Sequence, residues 1–283
     1  MTLTIALAFI FSFFYSLMVL FQQQFLKTTI PPLQLNFFNN LGAVVILTIF
    51  IYSTKPSILK SIPKTGLKYA ILVGLTASAI GDTLLYLGLQ FSSAINWGIL
   101  SLLIALVTFI LSVKFLAEKS TKGKIMALIL SLTGALIVIY RPGTVMGFNL
   151  GDLFFLAAVV MYAVANILNQ KALEFLTVFQ LLYLRLLTAV LALSLVLILT
   201  VPKIGNLPWM FIAINSLWLI LAISLVNIIM KRAGATFFSL SINLIPVFTV
   251  VLAAFFFKEV ATVYQLSGGV LVIGSIFLFN KKI

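Results

Sequence analysis

One carboxylate and one guanidinium lie deep inside long apolar stretches of this chain: Asp82 in GLTASAIGDTLLYLG (74–88) and Arg185 in VFQLLYLRLLTAV (178–190). Around them, polar side chains recur at intervals of three, four or seven, the spacing that places residues on one face of a helix. Ser78, Asp82 and Tyr86 form one stripe, and Tyr162, Asn166, Asn169 and Gln170 form another. Ser224, Asn227 and Lys231, then Ser239, Asn243 and Pro246, make two more; Ser12, Tyr15, Gln22 and Gln23, and then Asn36, Asn39 and Asn40, complete the set. Covalent chemistry is poorly served by these residues. The chain has no Cys and no His, which removes disulfides, thiolate nucleophiles, Cys/His zinc sites and haem ligation by either residue. An enzyme needs convergent nucleophiles, acids or metals, and no cofactor is expected. No phosphate-loop pattern accompanies the glycines, so ATP is not a direct driver. The chemistry left is reversible: hydrogen bonding, charge compensation and proton transfer.

The elements that carry these stripes follow from composition. Apolar residues make up 63% of the 283 and charged residues only 8%, with a mean hydropathy of +1.26. A soluble domain carries about 25% charged residues, so this is an all-α integral membrane protein surrounded by lipid. The net charge of +13 does not indicate nucleic acid, because the cations are scattered through short connections instead of gathered on one face. Ten runs are long enough to cross about 30 Å of hydrocarbon as helices: 3–26, 33–53, 68–90, 94–116, 123–140, 150–172, 177–200, 207–230, 235–257 and 262–280. The first has no basic leader and no small-residue cleavage site, and reads as a retained span. Seven of the eight prolines punctuate these runs; Pro246 falls in the middle of the ninth. It frees the carbonyl of Ile242, which bends a span and offers a hinge.

The chain also repeats itself. Residues 94–118, AINWGILSLLIALVTFILSVKFLAE, return 141 positions later as ATFFSLSINLIPVFTVVLAAFFFKE, 235–259, with seven identical pairs in 25, among them Glu118 and Glu259. A weaker echo at an offset of 147 pairs Tyr15 with Tyr162. The halves lie near 1–145 and 146–283. With the N-terminus cytoplasmic, thirteen Lys and Arg fall on inner connections and four on outer ones, the bias expected of a cell-membrane, multi-pass chain with both termini cytoplasmic. Five spans per half is odd, so the second half enters the bilayer upside down. Two inverted five-helix repeats enclosing a midplane site are a common plan of secondary transporters.

These features resemble the drug/metabolite transporter superfamily, in particular its EamA-type permeases. The resemblance rests on NLIPVFTVVLAAFFFKE ending in Glu259, on LVTFILSVKFLAE ending in Glu118, and on the small-residue tails with Gly134, Gly268, Gly269 and Gly274. It covers the whole chain and implies ten transmembrane helices, a central cavity and efflux of metabolites such as amino acids. Two departures stand out: Ala105 replaces proline in the first half, and Tyr15 and Tyr162 stand where the family often has tryptophan.

Together these readings give a secondary transporter that exports a small polar or amphipathic metabolite by alternating access, with membrane lipids and protons as its other partners. A membrane enzyme, a lipid-handling flippase-type protein and a non-transporting scaffold are the alternatives. Tyr15, Asn39, Ser78, Asp82, Tyr86, Trp97, Tyr162, Asn166, Arg185, Asn227 and Asn243 are the expected cavity residues; interhelical hydrogen bonding is the other role open to each. Trp97 either faces cargo or anchors its span at the membrane interface. Asp82 sits about 21 Å from the inner end of its span, at about 1.5 Å per residue from Lys68, and either accepts a proton or packs beside Gly81. Arg185 meets an anionic cargo group, snorkels about 12 Å to the inner surface, or makes a structural pairing within the bundle. Glu118 and Glu259 each precede a helix closely, where a carboxylate meets the positive end of the dipole.

Overall fold

The computed structural model describes residues 2–26, 31–54, 56–140, 149–200, 208–257 and 262–279. Glu259, Pro142, Pro202 and the loop cations Lys27, Lys55, Arg141, Lys203, Lys258, Lys281 and Lys282 lie outside them, as does the side chain of Gln23. Every apolar run carries helix, and no strand occurs among the described residues. In chain order the helices are α1 (Thr2–Leu26), α2 (Pro32–Thr54), α3 (Lys64–Phe91), α4 (Ala94–Phe115), α5 (Lys122–Ile139), α6 (Leu150–Phe175), α7 (Val178–Thr200), α8 (Trp209–Ile242), α9 (Ile245–Phe257) and α10 (Val263–Phe279). Among the described residues, α1, α2, α3, α4, α6, α7 and α8 are long and apolar enough to cross a bilayer.

Two helices depart from regular winding, each where the sequence permits it. In α3 the turn from Gly74 to Gly81 is a π-helix, immediately before Asp82. Such bulges recur at functional positions because they leave backbone groups less tightly paired. In α8 the helix runs on past the expected boundary between the eighth and ninth runs. It bends at Gly234, with φ 86° and ψ 169°, and nothing lies within 4 Å of where a Cβ would sit. The backbone angle, not crowding, therefore calls for glycine. The interruption comes later, at Asn243 and Leu244, whose amides donate to the carbonyls of Leu240 (3.2 Å) and Ser241 (3.0 Å). Pro246 is thus the second residue of α9 and not mid-helix; it lacks an N–H, which is tolerated only in a first turn.

The packing has a symmetry. α1 packs on α8 and α9, while α6 packs on α3 and α4; α2 packs on α7 and α8, and α7 on α2 and α3; α5 packs on α10. Exchanging the first five helices for the last five leaves this pattern unchanged. Without a hydrophobic drive between helices in lipid, small residues govern such contacts. At the α5–α10 crossing, a Cβ on Gly134 would lie 2.8 Å from the Gly268 carbonyl oxygen, so two glycines are needed for the backbones to meet.

The start of α6 is held by a buried cap. Asn149 and Asp152 form a reciprocal capping box, and Asp152 Oδ1 also accepts from Ser92 Oγ (2.7 Å) and Asn96 Nδ2 (3.1 Å) at the α3–α4 corner. Asp152 is 2% exposed, so its removal leaves several donors unpaired. Asp152→Ala is expected to cost about 2 kcal/mol of stability, read as a lower thermal midpoint in detergent. An unchanged midpoint would mean that the corner holds without its cap.

Candidate functional site

The stripes converge on a cavity of about 90 Å³ between α1, α3, α4, α6, α7, α8 and α9, room for a few waters or a small group. Tyr15, Asp82, Tyr86, Trp97, Tyr162, Asn166 and Arg185 line it. The other four expected residues lie outside its lining. Ser78 Oγ accepts from Arg185 Nε (2.7 Å), and Asn227 Oδ1 accepts from Asn169 Nδ2 (3.0 Å), itself a lining residue. Asn39 lies beside the Tyr86 hydroxyl with neither amide atom in a hydrogen bond of good geometry. Asn243 Nδ2 donates to Ser131 Oγ at 2.8 Å, pinning the α8–α9 turn to α5.

The two charges are held apart by neutral partners. The Tyr162 hydroxyl donates to Asp82 Oδ1 at 2.5 Å, the length of a charge-assisted bond. Arg185 is 8% exposed and anchored at Nε, and among the described residues its terminal nitrogens have no hydrogen-bond partner. The side chain turns into the cavity and does not snorkel. Lys124–Glu118 is the one ion pair among the described residues, so Arg185 and Asp82 share a chamber without touching. The π-turn explains the approach: Gly74 packs against the Arg185 carbonyl and Thr188, bringing Ser78 onto Arg185 of α7 while Asp82 meets Tyr162 of α6.

Trp97 is 2% exposed, with its ring centroid 5.3 Å from that of Phe155 and 6.0 Å from that of Tyr162. It belongs to the chamber and is not an interfacial anchor. Its repeat partner, Phe238, lines the same cavity. The same holds for Tyr15 and Tyr162, Met18 and Ala165, Gln22 and Asn169, Asp82 and Ile223, Leu85 and Val226, and Ile104 and Ile245, each pair offset by 141 or 147. Equivalent positions of the two halves therefore face one space. Much of the wall follows the repeat; the charge does not, because Asp82 is matched by Ile223. Phe11, Met18 and Ile242 carry no mark in the residues alone, since an apolar residue facing a cavity looks like one facing lipid; Phe238 is reached only through its repeat partner Trp97.

Among curated proteins, none matches the chain in sequence. A solved chain titled only "Crystal structure of protein" aligns with a TM-score of 0.73 and 18% identity over 96% of both chains, a likeness of fold alone. The model of the EamA-like transporter family matches twice, over residues 2–140 and again over 149–281, which covers nearly all of both halves. The chain therefore belongs to the EamA-like transporter family.

Proposed function

We propose that this membrane transporter is a secondary carrier, exporting a small polar or amphipathic metabolite with one carboxylate or phosphate group, such as an amino acid. The observation that carries this reading is the cavity wall: seven pairs of repeat-related positions surround one chamber holding a guanidinium that is bonded through Nε to Ser78 and is in no ion pair among the described residues. A local two-fold relation through a binding site lets one segment gate the inner side and its counterpart the outer side. Five helices per half, at 1–145 and 146–283, give ten transmembrane helices, inverted repeats and cytoplasmic termini. In this reading Arg185 receives the anionic group, and Asp82 carries the coupling proton with Tyr162 on its oxygen. Asn166 and Tyr15 bond to the remainder of the cargo, and the break before Pro246 serves as hinge.

The experiment is transport by purified protein in liposomes, screened against amino acids, nucleosides and phosphorylated sugars under imposed pH gradients. Saturable flux of a compound bearing a carboxylate or phosphate is the expected result. Flux of none of the three classes, under either gradient, would remove the carrier reading.

A further inference from the structure

Glu118 does more than face the dipole of the next helix. One carboxylate oxygen accepts from Lys124 Nζ in the first turn of α5. The other accepts from Thr236 Oγ1 at 2.5 Å, and that hydroxyl lies 2.8 Å from Ser112 Oγ at the end of α4. Two residues of the first half, Glu118 and Ser112, therefore grip one hydroxyl of the second, and Lys124 holds the far oxygen of Glu118.

The gripped residue sits on an unusual piece of chain. Ala235–Ile242 is a short helical segment set off at one end by the left-handed bend at Gly234 and at the other by the turn at Asn243–Leu244 before Pro246. All eight of its residues are buried, and Phe238 and Ile242 face the cavity. Its far end is held by Ser12, whose Oγ donates to the Ser241 carbonyl (2.9 Å), and by Asn243 on Ser131. Neutral bonds of that kind are weaker than one to a carboxylate. The charge-assisted tether is at the Gly234 end.

We propose that Glu118 is a positioning residue for the cavity wall: acting through Thr236, it holds the segment 235–242 in the orientation that places Phe238 and Ile242 against the chamber. Loss of the tether lets the segment turn between its two breaks and changes which face of the membrane the chamber meets. This rests on the carrier reading above.

The absence of native cysteine makes the test direct. A222C places a single thiol on the cavity wall, and a membrane-impermeant maleimide is applied from either face of sealed vesicles. Labelling from both faces supports the carrier reading; labelling from neither face overturns both that reading and the tether. With two-sided labelling established, Thr236→Val and Glu118→Gln are each expected to shift the ratio of inner to outer labelling by roughly tenfold, the scale of one charge-assisted bond. Thr236→Ser keeps the hydroxyl and is expected to restore the ratio to within about twofold on the same scale. A merely structural brace would lower the thermal midpoint of Thr236→Val and leave the ratio unchanged. An unchanged ratio in both Thr236→Val and Glu118→Gln, or no restoration in Thr236→Ser, overturns the role of Glu118 while leaving the carrier reading intact.

Discussion

Replacing Arg185 with glutamine is expected to lower the transport efficiency for a carboxylate- or phosphate-bearing compound by about 100-fold. Ser78 holds Nε of this cavity-lining residue and leaves both terminal nitrogens without a hydrogen-bond partner among the described residues, a planar fork of the shape an oxyanion requires. Each charge-assisted bond contributes roughly 1.5–3 kcal/mol, and tenfold corresponds to about 1.4 kcal/mol, so losing two such bonds reaches two orders of magnitude or more. Arg185→Lys keeps the charge and loses the fork; its transport should fall between the other two. Ser78→Ala leaves the guanidinium in place but free to rotate, which raises KM more than it lowers the maximal rate. Initial uptake rates in liposomes decide the matter. A glutamine variant within about threefold of the parent, less than one such bond is worth, would mean that the cargo does not meet Arg185.

How much of this was legible in the residues follows from what each signal measures. Hydropathy located the runs because a span is defined by its length in lipid. The 141-residue echo disclosed the two halves, and the structure returns it as repeat partners around one cavity. Polar stripes led to seven of the lining residues, since a polar group in hydrocarbon avoids the lipid side. Ser78 and Asn227 follow the same rule yet satisfy neighbours just behind the wall, because spacing gives a face and not a depth. Gly234 was illegible for another reason: the bend depends on a backbone angle, and one glycine between apolar runs looks like any connection. The reach of Glu118 to Thr236 joins residues 118 positions apart, which periodicity cannot report.

The second large effect concerns Asp82. Asparagine keeps an oxygen for the Tyr162 hydroxyl, now 2.5 Å from Asp82 Oδ1, and removes the negative charge together with the capacity to exchange a proton. Asp82→Asn is therefore expected to fold, to bind, and to lose the dependence of transport on a pH gradient. The cavity wall holds one positive and one negative side chain, so removing either leaves the other uncompensated where the dielectric is low. Asp82→Asn and Arg185→Gln should each lower the thermal midpoint. The double variant should lose less than the sum by about 1 kcal/mol or more, the scale of coupling between groups in one network. Additivity would mean that the two charges do not sense each other across the chamber. Tyr162→Phe separates coupling from compensation: it deletes the hydroxyl while both charges stay, and so should alter the pH-gradient dependence while leaving the stability coupling between Asp82 and Arg185 in place. If Asp82→Asn responds to the gradient as the parent does, the proton moves by another route, and the carboxylate serves only as a counter-charge that keeps the Arg185 fork directed at the cavity.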